Sequence, residues 1–501
     1  MYNIRYQFLE ARVFSRDNIF FGGIFAITFI SFIFWGFDYL SNFHLIFLLA
    51  ALFGIFMAFN IGGNDVANSF GTSVGAKTLT VKQALVIAAV FELSGAMLAG
   101  AEVTDTIKKG IVDVSSMIFD PMLLVFVMMA SLLSSALWLL FATVKGLPVS
   151  TTHAIVGGIL GGGIALGYST MAESSGVFSL IQWDQIVTIV ISWIISPILG
   201  GMASYGIYWY LKKYILDYNE KLEAKIVALK TQKKGHDEVN ATEEQKVEHE
   251  KLVEKLSLMQ KKTTAFYALR THAPIVAAFA VVTVGGTLLF KGLKHTAIKF
   301  NGIEAILLLA TFAALAYGIT YAIVKEMHRD TPHKATMRLF SMLQVLTASS
   351  FAFSHGANDI ANAIGPFAAI IDILSTGNIS EKASVPLPVM ITFGVALVAG
   401  LWFMGQEVIK TIGHRITEIF PVTGFAAELG ATLVILIATK MGLPVSSTHI
   451  LVGAVIGIGV LNRNANWKLM KPIALSWIIT LPVATVLAGI FFFILKAVFG
   501  Y

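Results

Sequence analysis

Long apolar runs broken by short polar interruptions dominate this chain. A helix that crosses a bilayer needs about 20 mainly apolar residues. Runs of that kind lie near 19–40, 45–61, 83–101, 119–144, 153–170, 184–211, 272–290, 303–325, 338–356, 386–404, 423–440, 449–462 and 471–498. The pattern predicts an all-α polytopic membrane protein with about 12 transmembrane helices. Several runs are short or interrupted by Gly, Asn and Pro, which predicts broken or re-entrant helices. One stretch reverses the pattern. Residues 212–270 hold 13 Lys and Arg and 10 Asp and Glu. Within it Leu222, Ile226 and Leu229, and then Leu252, Leu256 and Met259, recur at helical spacing. This predicts a charged helical hairpin turning near Gly235. The basic residues at its edges, Lys212, Lys213, Lys261, Lys262 and Arg270, place it in the cytoplasm. The chain therefore divides into an N-terminal extension with a first helix (1–44), a first membrane repeat (45–211), the charged loop (212–270) and a second membrane repeat (271–501).

Composition narrows the class. Hydrophobic residues make up 56% and charged residues only 13%, against about 25% charged in soluble domains. Length does not explain the excess, because a chain of this size builds an ordinary core easily. The 43 glycines suit close helix contact in lipid. With no cysteine, disulfide frameworks and thiolate metal sites are excluded. A net charge of +6 fits cytoplasmic loops near anionic lipid and not a nucleic-acid footprint. The first 18 residues are amphipathic and charged, and the apolar run after them is too long for a signal peptide. An uncleaved protein of the plasma (inner) membrane is expected.

Two polar motifs recur in the halves. GGNDVANSFGTSVG begins at Gly62 and GANDIANAIGPFAA at Gly356, so Asn64, Asp65 and Asn68 recur as Asn358, Asp359 and Asn362. GLPVSTTHAIVGG begins at Gly146 and GLPVSSTHILVGA at Gly442, so Pro148, Ser150, Thr152 and His153 recur as Pro444, Ser446, Thr448 and His449. A weaker match sets Glu102 against Glu407. The order and the nearly constant spacing point to a duplicated unit. Internal repeats in a polytopic protein point to a transporter with its site where the repeats meet.

The motifs carry two chemistries. An Asp at mid-membrane costs roughly 2.5–3.5 kcal/mol, so Asp65 and Asp359 are expected to line a polar cavity. The Asn residues of NDVAN and NDIAN lie four apart, on one helical face. Asn64, Asp65, Asn68, Asn358, Asp359 and Asn362 offer the hard oxygens a small cation such as Na⁺ takes. The nearby glycines would let the backbone break and add carbonyls. LPVSTTH and LPVSSTH read as helix starts. Pro stops a preceding helix, Ser and Thr cap the next, and the free N–H groups make an anion site. Ser150, Thr151, Thr152, Ser446, Ser447 and Thr448 add hydroxyls, and with no buried Arg cluster a bound cation would complete the positive field. His153 and His449 read as packing or supporting residues. Glu92 and Glu428 are candidate coupling carboxylates, with capping or interhelical bonding as the plainer role. A Ser-His-Asp hydrolase does not fit, since each Ser–His pair lies three residues apart inside one motif that occurs twice. The chain is not expected to be an enzyme.

These same motifs are similar to the signatures of the inorganic phosphate transporter (PiT) family, and the match spans roughly 45–211 and 272–498. GGNDVANSFGT resembles the form of the sodium-dependent branch. The resemblance implies a sodium-coupled phosphate symporter of alternating access, built as two inverted repeats and assembled as a homodimer. It implies Na⁺ and phosphate at Asp65, Asn68, Asp359 and Asn362, and phosphate at the Ser-Thr segments, with Na⁺ as a co-transported ion and no resident cofactor. Membrane lipid is the surrounding partner. Proton coupling, sulfate as substrate, and a sensor that binds phosphate without transport are the alternatives. The sequence departs from the family in Met128, where some members carry Glu, in Gly63, where Ala is usual, and in Pro366 opposite Thr72.

Overall fold

The computed structural model describes residues 16–99, 120–170, 177, 181–235, 243–260, 266–289, 300–327, 330–379, 385–405, 408–409, 411, 416–440 and 445–501. The described residues are nearly all helical, with no strand among them. In chain order the helices are α1 (Arg16–Tyr39), α2 (His44–Gly75), α3 (Val81–Ala99), α4 (Pro121–Val144), α5 (Thr151–Thr170), α6 (Trp183–Leu211), α7 (Asp217–Gly235), α8 (Glu243–Gln260), α9 (Tyr267–Thr287), α10 (Gly302–Glu326), α11 (Pro332–Asn358), α12 (Ala361–Thr376), α13 (Leu387–Met404), α14 (Pro421–Lys440), α15 (Ser447–Asn462) and α16 (Trp467–Phe499). Eleven spans among the described residues are long and apolar enough to cross a membrane. The short apolar helix α15 comes in addition to them.

Local sequence sets the boundaries. Asp120 caps α4 by accepting from the Met122 amide, with Pro121 at the first helical position. Thr331 and Pro332 start α11 in the same way. Asn301 and Glu304 close a capping box on α10. Each device pairs amides that would otherwise be orphaned at a helix start. A π-helical turn, Lys212–Leu216, carries α6 without a break into α7. Helix α7 packs on α8 and is pinned to α11 by Asn219 Nδ2, which donates to Thr336 Oγ1 at 3.1 Å. The charged segment is thus two helices, as the spacing predicts. Gly235, where the turn is expected, ends α7, and residues 236–242 lie outside the described residues.

Packing repeats with the sequence. Helix α2 lies on α13 as α11 lies on α3, and α5 lies on α16 as α15 lies on α6. At the first of these crossings a Cβ on Gly62 would sit 1.8 Å from the Leu397 carbonyl oxygen, and one on Gly356 would sit 2.1 Å from that of Glu92. Only glycine permits both approaches. The buried apolar residues fall into two bodies, and both Asn-Asp motifs lie where the chain crosses between them. Ile61 belongs to one body and Ala67 to the other, while Ala352 and Ile360 make the same crossing in reverse.

The two crossings differ in backbone. Helix α2 runs unbroken through Asn64 to Asn68, although its glycines lead to the expectation of a break. The second motif does break, between α11 and α12 at Asp359 and Ile360. There the Asn362 amide turns to the Asp359 carbonyl, three residues back, at 3.1 Å. Pro366 follows within α12. It has no N–H for the Asn362 carbonyl, and its ring crowds that carbonyl. Thr72 stands at the matching place in α2 and lets that helix continue.

Candidate functional site

Helices α5 and α15 begin where the two Pro-Ser-Thr segments predict. Ser150 Oγ accepts from the His153 amide and Ser446 Oγ from the His449 amide, each at 3.3 Å. These two serines cap their own helices. That leaves Thr151, Thr152, Ser447 and Thr448 to face the Asn-Asp motifs.

The halves interlock through these groups. Thr448 Oγ1 stands 3.2 Å from Asp65 Oδ1. Asn68 Nδ2 lies 2.8 Å from Thr448 Oγ1 and 3.2 Å from Asp65 Oδ1. From the other side, Asn362 Nδ2 donates to Thr151 Oγ1 at 3.2 Å and Thr152 Oγ1 at 3.3 Å. Ser447 Oγ donates to Asp359 Oδ2 at 2.7 Å. Asn68 and Asn362 thus each bond the helix start of the other half, while Ser447 and Asp359 pair within the second half. Asp65, Asn68, Asp359 and Asn362 are all buried.

His355 stands at the centre of this cluster. Its Nε2 is 3.0 Å from Asp359 Oδ2 and 3.5 Å from Asp65 Oδ2, and its Nδ1 is 3.3 Å from Glu92 Oε1. Asp65, His355 and Asp359 each bring one ligand atom within 4.8 Å of the others, close enough for one small cation to touch all three. Ser69 Oγ also donates to Glu92 Oε1 at 3.3 Å. Glu428, on α14, has a separate shell. Thr72, Ser73 and Gln344 donate to its Oε1 at 2.5, 2.8 and 3.2 Å, and Thr347 donates to its Oε2 at 2.6 Å. Glu92 thus adjoins the Asp pair, whereas Glu428 heads a polar network beyond it.

The remaining residues singled out by the sequence fall elsewhere. The Asn64 side chain turns to Thr143, Leu147 and Val149. Asn358 closes α11, immediately before Asp359. His153 stacks on Trp193 at 3.4 Å and His449 on Trp477 at 3.8 Å, and the two imidazoles meet edge to face at 4.4 Å. Packing is the role the sequence suggests for them. Pro444, Glu102 and Glu407 lie outside the described residues.

Motif reading missed His355, Gln344, Thr347, Ser69, Thr72 and Ser73 as members of the polar clusters. A signal for them exists in the repeat. At the offset of Asp65 from Asp359, His355 stands opposite Ile61, Gln344 opposite Ala50, Thr347 opposite Phe53, and Ser73 opposite Phe367. A polar residue whose apolar counterpart fills a core in the other half marks chemistry that belongs to one half alone.

Comparison with known proteins places these motifs in context. The model of the phosphate transporter family matches residues 61–488. A Mycobacterium bovis protein assigned as a phosphate permease is 46% identical, over 95% of this chain and 92% of the relative. A Pyrococcus furiosus protein with the same assignment is 35% identical over 91% of this chain and 97% of its own. Among solved structures, one described as the sodium-dependent phosphate transporter superposes with a TM-score of 0.72 at 30% identity, and covers 90% of this chain and 99% of that one.

Proposed function

This chain belongs to the phosphate transporter family, and from that premise we propose that it is a sodium-coupled symporter of inorganic phosphate working by alternating access. It is a membrane transporter and not an enzyme. The observation that carries the reading is the cross-pairing of the halves, Asp65 and Asn68 with Thr448 and Asn362 with Thr151 and Thr152. Na⁺ binds among Asp65, Asn68, Asp359 and Asn362. Phosphate binds at the starts of α5 and α15, where amide dipoles and the hydroxyls of Thr151, Thr152, Ser447 and Thr448 face it. Ser150 and Ser446, while capping, keep O–H groups to donate. Asn64 holds the backbone beside this pair of sites, Asn358 ends α11 next to Asp359, and Glu92 and Glu428 supply further negative charge.

Coupling follows from charge. Two buried carboxylates repel an incoming phosphate, and bound Na⁺ removes that repulsion at a depth where screening by water is weak. The loaded, neutralised site then favours movement of one apolar body against the other. Inverted orientation of the two repeats, a homodimer, the inner membrane and a cytoplasmic place for α7 and α8 belong to the same proposal. The repeated packing supports the inversion and the basic flanks support the cytoplasmic side, while the homodimer and the inner membrane follow from the family resemblance.

Uptake of ³²P-phosphate into proteoliposomes tests it. An inward Na⁺ gradient should accelerate uptake about 10-fold or more over a K⁺ gradient, the size of effect one ion–carboxylate interaction supplies. Uptake indifferent to Na⁺ and driven by a pH gradient would replace Na⁺ with H⁺. Displacement of phosphate by equimolar sulfate would change the substrate, and tight binding without exchange would leave a sensor.

A further inference from the structure

Asn64 and Asp65 are neighbours in one helix, yet their side chains diverge. Asp65 faces the ion cluster. Asn64 is buried and its amide is fully committed elsewhere: Nδ2 donates to Thr143 Oγ1 and to the Leu147 carbonyl, both at 3.0 Å, and Oδ1 accepts from the Val149 amide at 3.1 Å. Leu147 and Val149 belong to the irregular segment that joins α4 to α5 and ends in Ser150. Irregular backbone at membrane depth must find partners for its polar groups. Here four successive carbonyls each take a side-chain donor from a different place in the chain. Gly146 takes Thr411, Leu147 takes Asn64, Pro148 takes Trp477 and Val149 takes Thr448. Asn64 also receives the Val149 amide of the segment, so it grips it from both sides. Thr143 is itself fixed, since its hydroxyl donates to the Leu139 carbonyl at 2.8 Å.

We infer that Asn64 is a positioning residue for phosphate, holding the 146–150 segment and with it the Thr151 and Thr152 hydroxyls, and that it touches neither phosphate nor sodium. The inference rests on the phosphate reading above. It gives the Asn-Asp sequence a physical sense. A shift of α2 on cation binding at Asp65 moves Asn64 too, and Asn64 carries the shift to the start of α5. The second asparagine, Asn68, instead reaches across to Thr448. The two asparagines of one motif thus serve two helix starts, one in each half.

The experiment uses the full chain in proteoliposomes, with Asn64→Ala, the near-isosteric Thr143→Val and the double variant. Phosphate KM is measured at saturating Na⁺, and Na⁺ dependence at saturating phosphate. Thermal melting in detergent confirms that each variant folds, and Thr143→Val, which at nearly constant volume removes the hydroxyl that Asn64 and the Leu139 carbonyl both use, keeps the test open if Asn64→Ala unfolds. Asn64→Ala should raise the phosphate KM by about 10-fold, a loss on the scale of the buried hydrogen bonds removed, and leave half-maximal Na⁺ within about 2-fold. Thr143→Val should move KM in the same direction and less. The double variant should fall short of the product of the two, as expected for residues in one network. A rise in half-maximal Na⁺ with phosphate KM unmoved would make Asn64 an ion ligand and overturn the inference. So would a fall in Vmax alone. Wild-type chain without Na⁺-dependent phosphate uptake would remove the parent reading, and this one with it.

Discussion

A carboxylate buried at bilayer depth persists only where donors surround it, and Glu428 has donors from Thr72, Ser73, Gln344 and Thr347. Replacing it by Gln keeps size and removes charge. The hydroxyls and the Gln344 amide would then face a neutral group, with ~1.5–3 kcal/mol lost per charged bond relaxed. Glu428→Gln is expected to lower Na⁺-dependent uptake about 10-fold or more at unchanged protein level, measured as initial rate per reconstituted protein. His355 poses a different question. Its imidazole lies between Asp65 and Asp359, so on the sodium proposal a proton on it would compete with Na⁺ for both carboxylates. His355→Gln, which removes that competitor, should therefore lower the Na⁺ concentration needed for half-maximal uptake. Titrating Na⁺ in wild type and variant at saturating phosphate checks this. An unchanged or higher half-maximal Na⁺ in His355→Gln would show that the imidazole does not compete with the cation.

At the scale of elements, the helix starts at Thr151 and Ser447 were legible because Pro, Ser and Thr act locally. The break at Asp359 was half legible. Glycine near both motifs allows a break, but glycine only permits, whereas Pro366 removes an N–H and obliges the backbone to adjust. His355 and Gln344 were not legible from motif or periodicity, because their meaning lies in what α3 and α14 bring to them from far along the chain. Close helix crossing was foreshadowed by the glycine count, but not by which glycines mattered. Gly62→Ala and Gly356→Ala should each cost about 1–3 kcal/mol through overpacking against backbone and lower the melting temperature in detergent. Gly206 and Gly318 have open space where a Cβ would go. Alanine there should be neutral or raise stability by up to ~1 kcal/mol. Equal melting of all four variants would refute the crossing geometry.

For the whole molecule, the decisive feature is that the Asp65–His355–Asp359 cluster lies on the seam of two apolar bodies. The chain crosses that seam at both Asn-Asp motifs, and each body carries one of the helix starts: α5 packs in the first and α15 in the second. Asn68 pairs with Thr448 in the second body and Asn362 with Thr151 and Thr152 in the first, while Asp65 and Asp359 stand at the crossings between them, bridged by His355. Any ligand bound there is therefore also a tie between the bodies, and the two ligands must feel each other. Linkage requires that the effect be mutual: if Na⁺ raises phosphate affinity by some factor, phosphate raises Na⁺ affinity by the same factor. Couplings of 1–3 kcal/mol, about 5–150-fold, are typical, and a buried carboxylate pair facing an anion argues for the upper part of that range. Calorimetric titration of each ligand, with the other absent or saturating, should give equal factors. On the sodium proposal, Asp359→Asn removes one of the charges that would make Na⁺ necessary. It should weaken Na⁺ binding, yet let phosphate bind with less dependence on Na⁺, so that both coupling factors shrink together. A variant that lost Na⁺ affinity but kept the full factor would show that coupling comes from movement of the bodies and not from charge at the seam.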